Sequence, residues 1–276
     1  MMEDSGPALV LGATSLIGRF LLPRLAAEGA EVVAISRIAR PPTPGVRWIE
    51  ADLTAPNWAA RTPATATVFA LMPIWLLPPA LPALAAAGAR RLVAFSSTSA
   101  ITKAASPEPS ERDVARRLAD AEEAVMASGL AWTILRPTMI YAEGLDANVS
   151  RLARLIVRWG VLPLSGRGAG LRQPVHADDL AAARADGAVG RSYDLPGGET
   201  LSYREMARRL FVAQGRTPRI LSVPPPLWRL ALALAAPLLP GATAAMGDRM
   251  AEDLTFDPAP AARDFGWAPR GFHPKF

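Results

Sequence analysis

The chain has 276 residues, a formal net charge of +5 and no cysteine, so disulfide bonds and thiolate chemistry are excluded. Its two histidines, His176 and His273, lie far apart in sequence, which argues against a histidine-based site, and we predict no bound metal. Nearly all the positive charge is arginine, scattered and not interleaved with aromatic residues, which argues against nucleic-acid binding.

The pattern of apolar residues predicts neither an export signal nor a membrane-spanning segment. No signal peptide precedes the first predicted strand, and we expect a cytoplasmic protein. The apolar residues 227–239 contain Arg229 and are too short to cross a bilayer, because a crossing needs about 20 apolar residues. They fit a core helix of a lobe, and also an apolar wall of a substrate-binding site or a contact with a membrane surface.

The first predicted element is a strand, a tight turn and a helix over residues 8–25. The apolar run from Ala8 ends at Gly12, and apolar residues then recur at helical spacing. Backbone N–H groups at such a helix start favour a diphosphate. Gly12 would form the turn and Gly18 would let the helix lie close to the strand, whereas Ser15 replaces the middle glycine of the usual pattern. The alternative is a glycine turn without a ligand.

Strands and helices alternate up to about residue 145. We predict strands at 31–36, 46–50, 67–71, 91–96 and 132–136, with helices at 79–88 and 110–128. This alternation predicts an α/β fold with a doubly wound parallel sheet of the Rossmann type. Residues 99–110, which are rich in serine, proline and alanine, predict a mobile loop.

The pattern loosens after residue 145. We predict helices at 146–159, 177–186, 202–214, 225–239 and 243–251, with short strands near 173–176, 192–195 and 219–223. Residues 1–145 are therefore predicted to form the dinucleotide-binding core, and residues 146–276 a smaller C-terminal lobe packed on it.

Four motifs occur in the order of a known family: residues 12–18, 95–98, 133–137 and 174–179. Together they resemble an extended or atypical short-chain dehydrogenase/reductase of the NAD-dependent epimerase/dehydratase group. Residues 250–257 are similar to a subgroup related to the NADPH-binding accessory subunit of respiratory complex I. The resemblance implies a Rossmann fold, an NAD(P) cofactor, and a position near the adenine for Asp52 and Leu53.

The resemblance also exposes a missing catalytic pair. The family places a serine or threonine where this chain has Thr98, and a tyrosine four residues before a lysine on the following helix. Aligned through Glu122, those two positions are Val114 and Leu118, and neither side chain can transfer a proton. The candidate catalytic residues are therefore Thr98, Tyr141 and Lys103. A packed tyrosine and a solvated loop lysine are the alternatives for the last two.

The charge after the second strand favours NADP(H) over NAD(H). NAD-binding proteins usually place a carboxylate there, whereas this chain has Ser36 and Arg37, followed by Arg40. A guanidinium group suits a 2′-phosphate. The predicted cofactor-binding residues are Gly12, Thr14, Ser15, Leu16, Ile17, Gly18, Ser36, Arg37, Asp52, Leu53, Leu71, Ser96 and Pro137.

Two functions fit this sequence. The first is an NADP(H)-dependent oxidoreductase or isomerase with a small substrate, which the apolar residues 75–77 suggest to be apolar. The second is an NADP(H)-binding structural or sensing subunit without turnover, which the missing tyrosine and lysine favour.

Overall fold

The computed structural model describes residues 6–55, 58–235 and 244–276. The chain forms two compact units. Unit 1 contains Met1–Pro137, Ala177–Leu195 and Pro258–Trp267, and unit 2 contains Thr138–His176, Pro196–Asp257 and Ala268–Phe276. The structure thus differs from a division into two consecutive segments at residue 145, because the chain returns twice to unit 1.

Unit 1 is built on a sheet of seven parallel strands. In chain order they are β1 (Ala8–Leu11), β2 (Val32–Ser36), β3 (Val46–Glu50), β4 (Thr67–Ala70), β5 (Arg91–Phe95), β6 (Ala131–Pro137) and β11 (Arg191–Leu195). Their order across the sheet is β11-β6-β5-β4-β1-β2-β3, which confirms the predicted doubly wound α/β fold.

The strand order reverses at β1. Chain connections run outward from β1 through β2 to β3 on one side, and from β4 through β5 to β6 on the other. Ligands of such sheets bind in the crevice at the carboxyl ends of the strands, where the order reverses. All residues of β1 and β2 are buried, as expected for central strands covered on both faces.

Six helices of unit 1 are described: α1 (Gly18–Ala27), α2 (Leu81–Ala86), α3 (Ser99–Thr102), α4 (Pro109–Met126), α6 (Ala177–Ala182) and α10 (Ala259–Phe265). The loop predicted at 99–110 is wrong over much of its length, because 99–102 is helical and α4 begins at Pro109. Proline suits the first position of a helix, where its missing N–H is not needed. The Ser106 hydroxyl donates to Glu111 at 2.8 Å and ties the connection to α4.

Unit 2 combines short strands with four described helices. The strands are β7 (Ile140–Tyr141), β8 (Leu162–Ser165), β9 (Leu171–Arg172), β10 (Val175–His176), β12 (Leu201–Ser202) and β13 (Ile220–Val223). The helices are α5 (Val149–Trp159), α7 (Tyr203–Ala213), α8 (Pro225–Ala235) and α9 (Ala244–Arg249). The ends of the helices predicted at 225–239 and 243–251 that fall within 236–243 lie outside the described residues.

Candidate functional site

A cavity of about 530 Å³ opens at the carboxyl ends of the first four strands of unit 1. It is lined by Gly12, Thr14, Ser15, Ile35, Ser36, Arg37, Ala51, Asp52, Leu53, Thr54, Leu71, Met72, Pro73 and Leu76. Its volume lies in the range of small-molecule sites, and it occupies the crevice where the strand order reverses. Eight of the predicted cofactor-binding residues therefore line one cavity: Gly12, Thr14, Ser15, Ser36, Arg37, Asp52, Leu53 and Leu71.

Two glycines bring backbone segments together beside this cavity. Gly12 has a φ of 70°, and a Cβ atom there would lie 2.4 Å from the Met72 nitrogen. A Cβ atom on Gly18 would lie 2.2 Å from the Ala13 carbonyl oxygen. Both distances are far below ordinary contact, so the turn accepts no side chain at either position.

Ser15 replaces the middle glycine of the turn with a hydrogen-bonding residue. Its N–H donates to the Gly12 carbonyl at 2.9 Å, and its hydroxyl accepts from the Gly18 N–H at 3.2 Å. The N–H groups of Thr14, Leu16 and Ile17 donate to no acceptor within the described part of the chain. Three free N–H groups at the start of α1 fit the diphosphate of a dinucleotide.

The end of β2 presents positive charge. The buried Ser36 hydroxyl accepts from the Ile38 N–H at 3.3 Å and from Arg40 Nε at 3.1 Å. Arg37 is exposed and lines the cavity. Two guanidinium groups therefore lie near Ser36, and β2 ends without a carboxylate.

Asp52 follows β3 and is held by Thr54, a residue that we did not predict. Asp52 Oδ1 accepts from the Thr54 N–H at 2.9 Å and from the Thr54 hydroxyl at 2.8 Å. These hydrogen bonds lower the pKa of Asp52, and the positive charge of Arg37 lowers it further. The Asp-x-Thr spacing after a strand is a local turn signal that would have found Thr54.

Ser96 and Pro137, also predicted to bind the cofactor, lie outside the lining of this cavity. The Ser96 hydroxyl instead donates to Glu122 of α4 at 2.5 Å, and Arg136 Nε donates to the same carboxylate at 3.0 Å. This hydrogen bond raises the pKa of Arg136, whereas burial raises the pKa of the neighbouring Asp194. The Pro137 carbonyl accepts from the N–H and the hydroxyl of Thr98, both at 3.2 Å.

The three candidate catalytic residues have different surroundings. Thr98 is buried, with its hydroxyl directed to Pro137. Lys103 Nζ lies 3.7 Å from Glu111 Oε1 in an ion pair. Tyr141 belongs to unit 2, where its side chain is 1% exposed and packs edge-on against His176 and Phe272. A phenol packed in this way is poorly placed to exchange a proton with a substrate.

The substituted positions on α4 are part of the hydrophobic core. Leu118 is 3% exposed and belongs to the main core cluster of unit 1, and Val114 packs against that cluster. The core therefore fills the space that the family's tyrosine and lysine would need. The described residues contain neither a cluster of metal-ligating side chains nor a helix long and apolar enough to cross a membrane.

Comparisons with known proteins agree with this site. Residues 12–154, more than half of the chain, match the model of the NAD(P)H-binding family. Subunit 9 of the mitochondrial NADH dehydrogenase [ubiquinone] 1 alpha subcomplex from Arabidopsis thaliana is 36% identical over 129 residues, which are 44% of this chain and 31% of the plant protein. The (4-alkanoyl-5-oxo-2,5-dihydrofuran-3-yl)methyl phosphate reductase of Streptomyces griseus is 29% identical over 93% of this chain and 95% of the relative.

Solved structures share the fold. MoeE5 in complex with UDP-glucuronic acid and NAD superposes with a TM-score of 0.71 at 23% identity, over 96% of this chain and 94% of that chain. The UDP-glucuronic acid 4-epimerase of Bacillus cereus gives a TM-score of 0.72 at 16% identity and the same two coverages. The resemblance to an atypical short-chain dehydrogenase/reductase is thereby confirmed, and the chain belongs to the NAD(P)H-binding family.

Proposed function

We propose that the protein is an NADP(H)-dependent reductase of a carbon–carbon double bond conjugated to a carbonyl group, in a small and largely apolar substrate. One observation carries this proposal: the dinucleotide cavity is intact, whereas Val114 and Leu118 replace the proton-transferring pair. When bound, NADPH supplies a hydride. The substrate class then depends on which reduction the side chains of this protein can support.

Reduction of an isolated ketone produces an alkoxide, a strong base that needs an acid beside it. Reduction of a conjugated double bond produces an enolate, whose charge is delocalised and which needs only hydrogen bonds at oxygen and a proton from water. Ser97 fits that lesser requirement. Its hydroxyl accepts from the Ser99 N–H at 3.1 Å and donates to no acceptor within the described residues, so its proton is available. Thr98, directed to Pro137, would orient the segment.

The nearly full-length Streptomyces relative supports this substrate class. Its name describes a reductase, and its substrate combines a 2,5-dihydrofuran ring with 5-oxo and 4-alkanoyl groups and a methyl phosphate. That ring contains a double bond next to two carbonyl groups, and the alkanoyl chain is apolar. Residues Met72, Pro73 and Leu76 give the cavity an apolar side. We therefore propose an unsaturated lactone or ketone with an alkyl chain as the substrate class.

Turnover separates this function from its alternatives. Purified protein with NADPH is assayed with α,β-unsaturated lactones and ketones, and with their saturated counterparts, by the loss of absorbance of the reduced nicotinamide. We expect oxidation of NADPH with unsaturated compounds alone, and a loss of rate in Ser97→Ala without a change in NADPH affinity. Equal or faster turnover of the saturated ketones would contradict the proposal.

The preference for NADP(H) is a separate part of the proposal. A hydrogen bond to a charged group contributes about 1.5–3 kcal/mol, which predicts a preference for NADPH over NADH of about tenfold or more. Calorimetry on the wild type, Arg37→Ala and Arg40→Ala tests it, with Arg47→Ala as the control because Arg47 is exposed on β3 and does not line the cavity. Equal affinities of the wild type for both nucleotides would overturn the preference.

A non-catalytic NADP(H)-binding subunit remains the second candidate. The matched segment of the plant complex I subunit favours it, as does the absence of the catalytic pair. Tight NADPH binding without oxidation by any compound in the panel would favour this function over the first. The predicted cytoplasmic location belongs to the same proposal, and fractionation of cells that express the full chain tests it.

A further inference from the structure

Unit 2 contains two long segments without a single acidic residue. Residues 147–176 and 206–247 span 30 and 42 residues, and each contains five arginines. The two segments pack together: β8 pairs in parallel with β13, and the Gln214 side chain donates to the Ala153 carbonyl at 3.0 Å. Arg208, Arg209 and Arg229 form ion pairs with Glu199, Glu205 or Asp248 outside the two segments, and positive charge remains on other arginines of this region.

Helix α5 presents three of these arginines along one stripe. Arg151, Arg154 and Arg158 are exposed, and they lie on the side opposite the buried Val149, Ala153 and Ile156. Like charges at spacings of three and four residues repel one another and weaken a helix. None of the three forms an ion pair with a described residue, so the fold leaves this repulsion for a partner to neutralise.

Two more exposed arginines continue the charge beyond α5. Arg216 and Arg219 lie between α7 and β13. The Leu162 N–H donates to the Arg219 carbonyl at 2.9 Å, which places Arg219 beside the chain that leaves α5. We call the exposed side chains of Arg151, Arg154, Arg158, Arg216 and Arg219 the basic face.

Large apolar side chains are exposed on the same elements. Trp159 at the end of α5 is 50% exposed, and Val157, Val212 of α7 and Leu221 of β13 are each 55% exposed. Leu227 and Leu230 of α8, which follows β13, are exposed to a similar extent. Exposed tryptophan and aliphatic residues beside arginines are the composition of a surface that lies at a membrane interface, with cations at the headgroups and apolar groups below them.

We propose that the basic face binds the surface of a membrane that contains anionic phospholipid. A second copy of the chain is disfavoured there, because two surfaces of the same charge would meet. Nucleic acid would use the arginines but not the aliphatic side chains, since bases stack on aromatic rings. An anionic lipid surface takes both kinds of side chain at once.

Flotation of the full-length protein with vesicles tests the proposal. Phosphatidylcholine vesicles that contain phosphatidylglycerol should carry the protein upward, and phosphatidylcholine vesicles alone should not. An arginine near an anionic surface changes partitioning by about fivefold, so the triple variant R151Q/R154Q/R158Q should bind on the order of 100-fold more weakly. Raised salt should weaken wild-type binding because it screens the surface charge.

A matched control removes the same charge elsewhere. The triple variant R47Q/R112Q/R116Q lowers the net charge equally at exposed positions of unit 1, and it should float as the wild type does. Unchanged NADPH affinity in both variants shows that they are folded. The proposal is overturned if neutral vesicles bind equally well, if both variants lose binding alike, or if the α5 variant keeps it. Retention by duplex DNA without vesicle binding would also overturn it.

Discussion

Ser15 shows how one residue can preserve a turn while changing its chemistry. A glycine at this position would leave the Gly18 N–H free, whereas the Ser15 hydroxyl accepts that N–H at 3.2 Å. The serine thus satisfies one of the unpaired donors at the start of α1. The free N–H groups that remain in the turn belong to residues 14, 16 and 17, and the recognition of phosphate should depend on their backbone positions.

Gly12→Ala is expected to lower both stability and NADPH affinity. The φ of 70° disfavours any side chain by about 1–2 kcal/mol, and the added Cβ would also meet the Met72 nitrogen at 2.4 Å. Gly29→Ala is the matched control, since Gly29 has a φ of 78° but nothing within 4 Å of an added Cβ. Urea unfolding should show a clearly larger loss for Gly12→Ala. Equal losses would mean that the close approach at Gly12 is unimportant.

Helix α4 has apolar residues at the two positions where the family resemblance implies a tyrosine and a lysine. The helix spans 18 residues and buries Ala115, Leu118, Ala121 and Val125 against the sheet. Glu122, also buried, accepts hydrogen bonds from Ser96 and Arg136. This helix now serves packing and a buried ion pair, and both roles constrain any attempt to restore the family's catalytic residues.

The variant V114Y/L118K is therefore not expected to gain dehydrogenase activity. Leu118 is 3% exposed, and a lysine there would lose hydration while the carboxylate one turn along the helix, Glu122, already accepts from Ser96 and Arg136, which we expect to cost about 2–4 kcal/mol. Leu118→Met, which conserves volume, should cost less than about 1.5 kcal/mol. Chemical denaturation measures both effects. Robust ketone reduction by a stable double variant would show that only those two groups were absent.

Acid should remove the stabilisation that Glu205 gives to α7. Arg208 and Arg209 hydrogen-bond to Glu205 and lower its pKa to about 2, so the carboxylate favours the folded state at every pH above about 4.5. That contribution is lost as the pH falls from about 4.5 towards 2, and after screening it amounts to about 1–2 kcal/mol. Urea unfolding of Glu205→Gln should show a smaller loss of stability over this range than the wild type. Parallel curves for the two proteins would contradict the assignment.

At the scale of the whole molecule, local sequence signals were sufficient to predict the turn at residues 12–18. They were not sufficient to predict how the chain divides into two units. The sequence alone predicted the turn before α1 and the absence of an acid after β2. Both predictions depend on residues that are adjacent in sequence, such as Gly12 and Gly18. The hydrogen bond from Ser96 to Glu122 was not predicted, because the two residues lie 26 positions apart in the chain. The two-unit organisation was equally hidden, because β11 joins β6 through a pairing of residues such as Arg191 and Thr133.

Residues 1–145 alone are expected not to fold stably. They lack β11, and they also lack Ala185, whose carbonyl accepts from Arg91 at 2.9 Å. An unpaired edge at β6 also invites aggregation. Circular dichroism and sedimentation of this fragment, compared with the full chain, measure the effect. A monomeric fragment with cooperative unfolding and full NADPH affinity would instead support two consecutive domains.

The late arrival of β11 has a consequence for biosynthesis. Pro137 at the end of β6 leaves the ribosome well before Leu195 at the end of β11, with the first segment of unit 2, Thr138–His176, synthesised in between. At about 5–20 residues per second, the nascent chain carries β6 as an open edge for about 3–12 s. During that interval the growing sheet is complete on one side only, and this is when a ribosome-associated chaperone has a strand to protect.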